Sequence, residues 1–441
     1  MKRLLLLFFL IISCNQPNGI SVDSQTHLLP YPNQISLQKN TINLGKGLNV
    51  SNGIYSSYLK DQLLLNNIPN DKGVKVVFEK SIIDTLGEEG YQLIAKNNKI
   101  SILSNTKAGT FYGIQTLIQL TRLGVVQELE IIDKPQFKWR AYMLDEGRYF
   151  QGKEVVKYIL NEMAHLKMNV FHWHLTDDAG WRIEIKKYPL LTQIGSKRDS
   201  TQINYQGKKW GSEVFDGVPH EGFYTQDDIK EIVAYAENLN ITIIPEIAMP
   251  GHASAAIASY PFLGSSTQPI KVPERFGVGE VIFNPASPKT ITFIQDVLKE
   301  VSDLFPGNII HIGGDEVRYD QWKTNEDVKF LMKKNKIDVI NGYGKVKPGK
   351  VVDVDGIEYQ AENIIIATGA RSRVLPSIPQ DGKKVIGYRE AMSLSKQPKK
   401  MIVVGSGAIG VEFAYFYSSL GTEVTIVEYL PNLVPLEDQE I

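Results

Sequence analysis

The sequence predicts an α/β protein with more than one domain. Four apolar runs alternate with helical patterns such as residues 155–163, and these runs are typical of buried strands: 141–144, 168–175, 241–247 and 308–312. Such alternation builds parallel sheets or barrels, whose ligands lie at the carboxyl ends of the strands. A glycine-rich motif at residues 405–410 follows a separate apolar run. With 441 residues, the chain has room for about three domains.

The motif HIGGDE at residues 311–316 places two adjacent carboxylates, Asp315 and Glu316, directly after the last of the four runs. Paired carboxylates raise one another's proton affinity, so one of them can stay protonated near neutral pH and act as an acid. A glycosidic bond breaks when such an acid protonates the departing oxygen. The alternative is that the two acids are solvated or hold a cation.

A series of motifs around this pair resembles glycoside hydrolase family 20, the β-N-acetylhexosaminidases. Upstream, residues 29–33 and 113–120 resemble the small α+β domain that precedes the family's (β/α)8 barrel. The motifs of the barrel follow in order along the chain: 139–145, 168–178, 180–182, 222–225, 244–252 and 311–316. The resemblance implies an amino-terminal α+β domain over 27–135 and a catalytic barrel over 136–327.

The resemblance also implies roles for single residues. Glu316 would protonate the leaving group and Asp315 would orient the substrate's own acetamido group, which attacks the anomeric carbon, so that no cofactor or metal is needed. Substrate-binding roles fall to Arg140, Asp177, His252 and His172, with Asp178 beside them. For Arg140 the alternative is a structural ion pair at a strand start. For His172, Asp177 and Asp178 we favour bracing of the pocket over lining it.

The chain departs from the family pattern at two places. The family usually has an acid four positions before the histidine at 252, and here that position is Ala248. We therefore expect His252 to lose its anchor and the catalysis to be weakened. After Trp322 the pattern stops, so the sequence predicts a truncated barrel with only the first four strands.

Residues 330–441 resemble the middle of dihydrolipoamide dehydrogenase, a flavin disulfide oxidoreductase, and imply a partial Rossmann-like FAD/NAD-binding fragment. The motif built on Gly405, Gly407 and Gly410 lies between an apolar strand and a helical pattern, and Glu428 ends the next strand. The glycines permit approach of a pyrophosphate and Glu428 would accept a hydrogen bond from a ribose of NAD. The alternative is a fragment without ligand.

Cys14 is the one cysteine of the chain. Disulfide reduction needs a cysteine pair, so this reaction is excluded. Residues 1–14 resemble a bacterial lipoprotein signal peptide, which implies lipid attachment at Cys14, a membrane anchor and a location in the cell envelope, periplasmic or outer membrane. The alternative is an ordinary secretory signal. Residues 15–26 read as a polar tether.

The net charge of −1 argues against a nucleic-acid partner. The leading hypothesis is therefore a lipid-anchored, impaired glycosidase that acts on glycans with N-acetylhexosamine. The alternatives are an NAD-binding module without turnover and a non-functional fusion, with the join between residues 324 and 333 in one amphipathic helix. The sequence leaves the oligomeric state open.

Overall fold

The computed structural model describes residues 28–435, except for 82, 204–213, 267, 276, 369–374 and 393. The predicted signal peptide with Cys14 and the predicted tether lie outside these residues. Within the described part, no helix is both long and apolar enough to cross a membrane.

The small domain is a six-stranded sheet covered by two helices. Its strands are β1 (Gln34–Asn43), β2 (Leu48–Val50), β3 (Val74–Lys80), β4 (Tyr91–Lys96), β5 (Lys99–Ser104) and β6 (Val125–Asp133), and its helices are α1 (Ser56–Leu65) and α2 (Lys107–Thr121). The strand order is β1-β6-β4-β5-β3-β2. The Thr106 hydroxyl caps α2 by accepting from the Gly109 amide at 3.2 Å. Phe111, Ile114 and Leu117 of α2 are fully buried against the sheet, so a small α+β domain is present, as the sequence predicts.

The next part is a parallel sheet with helices packed around it. Its elements are β7 (Ala141–Asp145), α3 (Lys153–His165), β8 (Val170–Asp177), β9 (Gly180–Trp181), α4 (Leu190–Gln193), β10 (Lys197–Arg198), β11 (His220–Glu221), α5 (Gln226–Asn238), β12 (Thr242–Ile247), α6 (Ser254–Ser259) and α7 (Pro288–Leu304). The order β12-β8-β7 is parallel throughout. The predicted βα alternation is confirmed for these three strands.

The fourth predicted strand, residues 308–312, lies along β12 but forms only one bridge, between His311 and Glu246. The His311 amide donates to the Pro245 carbonyl at 3.0 Å, and the Ile247 and Met249 amides donate to the carbonyls of His311 and Ile312, each at 3.0 Å. We call β7, β8, β12 and residues 308–312 the half barrel. In the described residues its two outer edges, β7 and 308–312, pair on one side only.

The carboxyl-terminal part has a different architecture. It contains α8 (Asp320–Thr324), α9 (Glu326–Lys334), an antiparallel meander of β13 (Gly344–Lys347), β14 (Val351–Val354) and β15 (Ile357–Gln360), then α10 (Tyr388–Ala391), and a parallel unit of β16 (Lys400–Val404), α11 (Ala408–Ser419) and β17 (Glu423–Val427). The predicted amphipathic helix at the join corresponds to α9. Among the described residues 335–435, only three apolar side chains are buried: Ala391, Ala414 and Tyr417. This part therefore has little core of its own.

A buried ion pair joins the small domain to the half barrel. Lys167 Nζ, just before β8, donates to Asp133 Oδ2 at 2.9 Å and to the Tyr91 hydroxyl at 2.8 Å. Burial is the largest influence on Lys167 and lowers the pKa of its ammonium, while the Asp133 charge opposes that shift. Since removing one partner of a buried pair leaves the other uncompensated, the contact fixes the two parts together.

Replacing Lys167 by Met should lower the free energy of unfolding by about 3 kcal/mol, because Asp133 would stay buried without its charged partner. Urea titration followed by tryptophan fluorescence measures this, since all five tryptophans lie within residues 136–327. Lys99→Met is the control: it breaks the exposed Lys99–Glu79 pair and should change the free energy by less than about 1 kcal/mol. Equal effects of the two substitutions would contradict this account of the interface.

Candidate active site

The acidic pair lies at the carboxyl end of the half barrel, as the sequence predicts. Glu316 adopts a φ of 50°, and Gly313 and Gly314 before it have φ values of 68° and 100°. A left-handed backbone at Glu316 costs of order 1 kcal/mol or more and is typical of functional sites. A side chain at 313 would lie 3.1 Å from the Ala248 Cα, so the turn needs glycine there. The side chains of Asp315 and Glu316 are 59% and 57% exposed.

His252 faces both acids from the loop after β12. Its Nε2 lies 3.5 Å from Asp315 Oδ2 and 3.5 Å from Glu316 Oε2. This nitrogen is buried and has no hydrogen-bond partner among the described residues. A buried donor without a partner is costly, so a small shift of either acid towards Nε2 would form a favourable hydrogen bond.

Asp178 holds the other ring nitrogen of His252. The Nδ1 to Asp178 Oδ2 distance is 3.1 Å, and the carboxylate is itself fixed by donors from the Ser254 amide, the Ser254 hydroxyl and the Gly279 amide. A Cβ at 279 would lie 2.4 Å from Asp178 Oδ1. The expectation that Ala248 leaves His252 without an anchor is therefore wrong, because Asp178 orients the ring from β8's end.

Asp177 lies at the centre of the charge network. His174 Nε2 is 3.0 Å from Asp177 Oδ2, Arg148 Nη2 is 3.2 Å from the same atom, and His252 Nδ1 is 3.5 Å from Oδ1. Burial alone would raise the pKa of Asp177, but the hydrogen bonds from His174 and His252 hold it well below its usual value. Hydrogen bonds to Asp177 and Asp178 raise the pKa of His252 to about 10. At neutral pH the carboxylate of Asp177 is therefore ionised and the imidazole of His252 is protonated.

The fold brings the guanidinium group of Arg148 to this site, beside Asp145 and Asp177. It donates from Nη1 to Asp145 Oδ2 at 2.8 Å, in addition to its contact with Asp177. Burial would lower the pKa of Arg148, but the charges of Asp177, Asp145 and Asp315 raise it above its usual value. Arg148 was not among the residues predicted from sequence. The signal that could have found it is its position three residues after β7 ends, at the reactive end of a parallel sheet.

Arg140 does not reach the acidic pair. It lies at the opposite end of β7, where Nη1 donates to Glu89 Oε2 at 2.9 Å and Nε donates to the Lys167 carbonyl at 2.7 Å. Its Nη2 also donates to the Tyr112 hydroxyl at 3.3 Å. The predicted substrate-binding role is corrected: Arg140 takes the structural ion-pair alternative, because residues that precede a barrel strand lie at the amino end.

His172 lies deeper in the half barrel, in a cluster with Glu246 and His311. Its Nε2 is 2.6 Å from Glu246 Oε2, and the two imidazole rings are 4.6 Å apart. The three side chains offer donor atoms within 4.8 Å of one another, a spacing that a divalent ion could use. However, the Gly313 amide already donates to His311 Nδ1 at 3.0 Å. The cluster is satisfied by hydrogen bonds, which favours the bracing role for His172.

Glu146 is a second residue that the sequence reasoning left without a role. Its fully buried carboxylate accepts from the Trp173 indole at 2.7 Å and from the Tyr224 hydroxyl at 2.7 Å. The Gln151 and Gly152 amides donate to it at 2.8 and 3.1 Å. Burial raises the pKa of Glu146, and these hydrogen bonds oppose the shift. It fixes the loop that carries Arg148.

The glycine motif of the carboxyl-terminal part forms a tight turn between β16 and α11. Gly405 has a φ of 98°, and a Cβ at Gly410 would lie 2.3 Å from the Gly405 carbonyl oxygen, whereas the space at Gly407 is open. Glu428 Oε2 accepts from the Ser406 amide at 2.8 Å and from the Ser406 hydroxyl at 2.6 Å. Hydrogen bonds from the Leu430 amide and from Ser406 lower the pKa of Glu428 to about 2. Its acceptor capacity is thus already used within the turn.

Comparison with known families gives three matches. The description "Glycosyl hydrolase family 20, catalytic domain" matches residues 137–404, and "Glycosyl hydrolase family 20, domain 2" matches residues 25–134. Residues 400–441 match "Pyridine nucleotide-disulphide oxidoreductase". The first match covers more than half of the chain.

Individual relatives agree with the first two matches. The chain is 40% identical over 280 residues to a β-hexosaminidase of Porphyromonas gingivalis, covering 61% of this chain and 34% of that protein. It is 34% identical over 390 residues to a β-hexosaminidase of Vibrio furnissii, covering 85% of this chain and 59% of that protein. The chain thus spans about a third to three fifths of the length of these relatives.

Solved structures give the same result. The chitobiase of Flavobacterium johnsoniae has a TM-score of 0.60 at 32% identity, covering 73% of this chain and 49% of that one. The β-N-acetylhexosaminidase of Bacteroides fragilis has a TM-score of 0.58 at 33% identity, covering 71% of this chain and 61% of that one.

Replacing Asp178 by Asn should bring the pKa of His252 down from about 10 towards the ordinary 6.5, because the charged acceptor at Nδ1 is removed. As the raised pKa belongs to the folded state, its stabilising effect is fully present below pH 6.5 and is lost as the pH rises through 10. In the variant the loss should again begin near pH 6.5, but it should be smaller and should be complete at lower pH.

Titration of the imidazole signals by NMR measures this shift. Ser254→Ala is the matched control, because it removes a hydrogen bond to Asp178 while the carboxylate keeps its charge. An unchanged His252 titration in Asp178→Asn would show that Asp178 does not orient the ring.

Proposed function

Because this chain belongs to glycoside hydrolase family 20, we propose that its half barrel carries β-N-acetylhexosaminidase chemistry, the retaining hydrolysis of terminal N-acetylhexosamine residues of glycans. The observation that carries the proposal is the approach of His252 Nε2 to Asp315 and Glu316, at 3.5 Å from each. One buried donor and two acids at the carboxyl end of a parallel sheet suit acid catalysis on a sugar.

In the proposed reaction the substrate supplies its own nucleophile. Its acetamido oxygen bonds to the anomeric carbon while the bond to the leaving oxygen breaks, and Glu316 gives that oxygen a proton. Asp315 orients the amide and stabilises the positive charge that develops on it. Water then attacks the anomeric carbon, the amide leaves, and Glu316 regains a proton from the water. No cofactor is needed, since the substrate's acetamido group supplies the nucleophile and Glu316 supplies the proton.

The other side chains of the site serve this reaction by position and charge. His252, held by Asp178, donates towards Glu316, and Arg148 offers a donor fork beside Asp177 for sugar hydroxyls. The barrel is truncated in this proposal to its first four strands, and the described residues form no wall that would close over the sugar. We therefore expect weak turnover.

The proposal for the whole chain includes a lipid anchor at Cys14 and a place in the cell envelope of a bacterium. It is motivated by the basic start, short apolar run and small residue before that cysteine. The carboxyl-terminal part is then a fused fragment that adds no chemistry to the glycosidase. Mass spectrometry of the membrane-extracted chain would test the anchor, since an unmodified Cys14 excludes it.

An NAD-binding module is the second candidate, favoured by the open glycine turn at Gly407. The fit is poor, because Glu428, which would accept from the ribose, is already bonded to Ser406, and β16 and β17 form a sheet of only two strands in the described residues. No step of the proposed reaction uses this turn.

Purified full-length chain should release a chromogenic aglycone from a β-N-acetylglucosaminide, and Glu316→Gln should lower kcat at least 100-fold, because the amide cannot give up a proton. Glu326→Gln, at an exposed carboxylate in α9, is the control and should leave the rate unchanged. Absence of release by the folded wild-type chain at high concentration would refute the glycosidase.

Isothermal titration with NAD should give no binding heat at micromolar ligand, since the acceptor at Glu428 is engaged and the sheet is incomplete. A saturable heat that disappears in Gly407→Glu would instead establish the nucleotide module.

A further inference from the structure

We propose that two copies of this chain join edge to edge, so that two half barrels close into one eight-stranded barrel. This assembly goes beyond the proposed glycosidase and does not depend on its activity. The half barrel supplies four parallel strands or strand segments in order, and a closed barrel of this type needs eight.

The two outer edges of the half barrel are open. β7 pairs only with β8, and residues 308–312 pair only with β12, among the described residues. An open edge presents unpaired amides and carbonyls to solvent and acts as a template for another strand. Neither edge strand carries the lysine or proline that commonly blocks such pairing.

The side chains along these edges are apolar and uncovered. Met143 and Ile309 are 50% and 48% exposed, and Tyr142 and Ile312 are similarly exposed. In the sheet register Met143 aligns with His172 of β8, and His172 aligns with Ile244 of β12. Glu246 lies two residues after Ile244, so Met143 lies on the same face as Glu246 and its histidine partners. This is the face that fills the interior of a closed barrel.

A second copy is the occupant that fits both edges at once. A two-fold axis along the barrel would set β7 of each copy beside residues 308–312 of the other, with all strands parallel. Each copy then offers one edge of each kind, so no edge is left over and assembly stops at two. To form a specific interface, the two seams together must bury about 1,000 Å² or more.

The second copy would also complete the site. Asp315 and Glu316 follow the edge segment 308–312 and are more than half exposed. The neighbour across the seam would be β7 of the second copy, whose carboxyl end carries an aspartate at position 145. The acids would therefore gain a wall that the described residues of one chain do not form.

Light scattering after size exclusion, with the full chain at about 50 μM, tests the assembly; the expected mass is twice 49.5 kDa. Met143→Lys and Ile309→Lys should each convert the dimer to a monomer, because a charge would be buried at both seams. Tyr158→Lys, on an exposed residue of α3, is the control and should stay dimeric. Circular dichroism verifies that each variant is folded.

Hydrogen exchange separates closure from other association. The amides of β7 that do not bond to β8, and those of residues 309–312 other than His311, should become protected only at dimer concentrations. A monomer under these conditions would overturn the proposal. So would assemblies that keep growing with concentration, dimers that survive both seam substitutions, or occupation of the edges by a different polypeptide in place of a second copy.

Discussion

The half barrel depends on the burial of two neighbouring carboxylates, Asp177 and Asp178, at the end of β8. A buried carboxylate is stable only where donors or opposite charges surround it. Here the donors come from three directions: Arg148 after β7, His174 within β8 and His252 after β12. The contacts that stabilise these two buried carboxylates therefore also fix the loops after β7 and β12. The stability of the half barrel and the geometry of the site thus depend on the same contacts.

The strands and the acidic pair could be read from the sequence because both are local signals. The apolar runs alternate with helical patterns, and the two acids follow a run directly. Strand direction also distinguishes Arg140, which precedes β7, from Arg148, which follows it. A strand rises about 3.3 Å per residue, so Arg140 lies about 17 Å from Asp145 at the end of β7 where the site is. Only residues after the strand, such as Arg148, could reach the site. The family resemblance pointed to Arg140, whereas strand polarity places Arg148 on the side of the acids.

The anchor of His252 could not be predicted, because it is a long-range contact. The local spacing pointed to position 248, which is alanine, whereas Asp178 lies 74 residues away in the sequence. The carboxylate reaches Nδ1 because parallel pairing brings the ends of β8 and β12 together. The absence of an acid close to His252 in the sequence therefore did not mean that no acid lies close to it in the structure. The same argument applies to Glu146, whose partners Trp173 and Tyr224 come from distant segments.

Among the described residues, the half barrel lacks enclosure of the acids, whereas the groups that the proposed reaction needs are present. The acids, the histidine and an arginine are in place, but Asp315 and Glu316 are more than half exposed. Two unit charges 4 Å apart interact by about 1 kcal/mol in water and by about 4 kcal/mol at the effective dielectric of a protein surface. In the proposed reaction, open water would therefore reduce the stabilisation that these groups give to a charged transition state. A wall over the acids would strengthen the same contacts without adding a single catalytic residue.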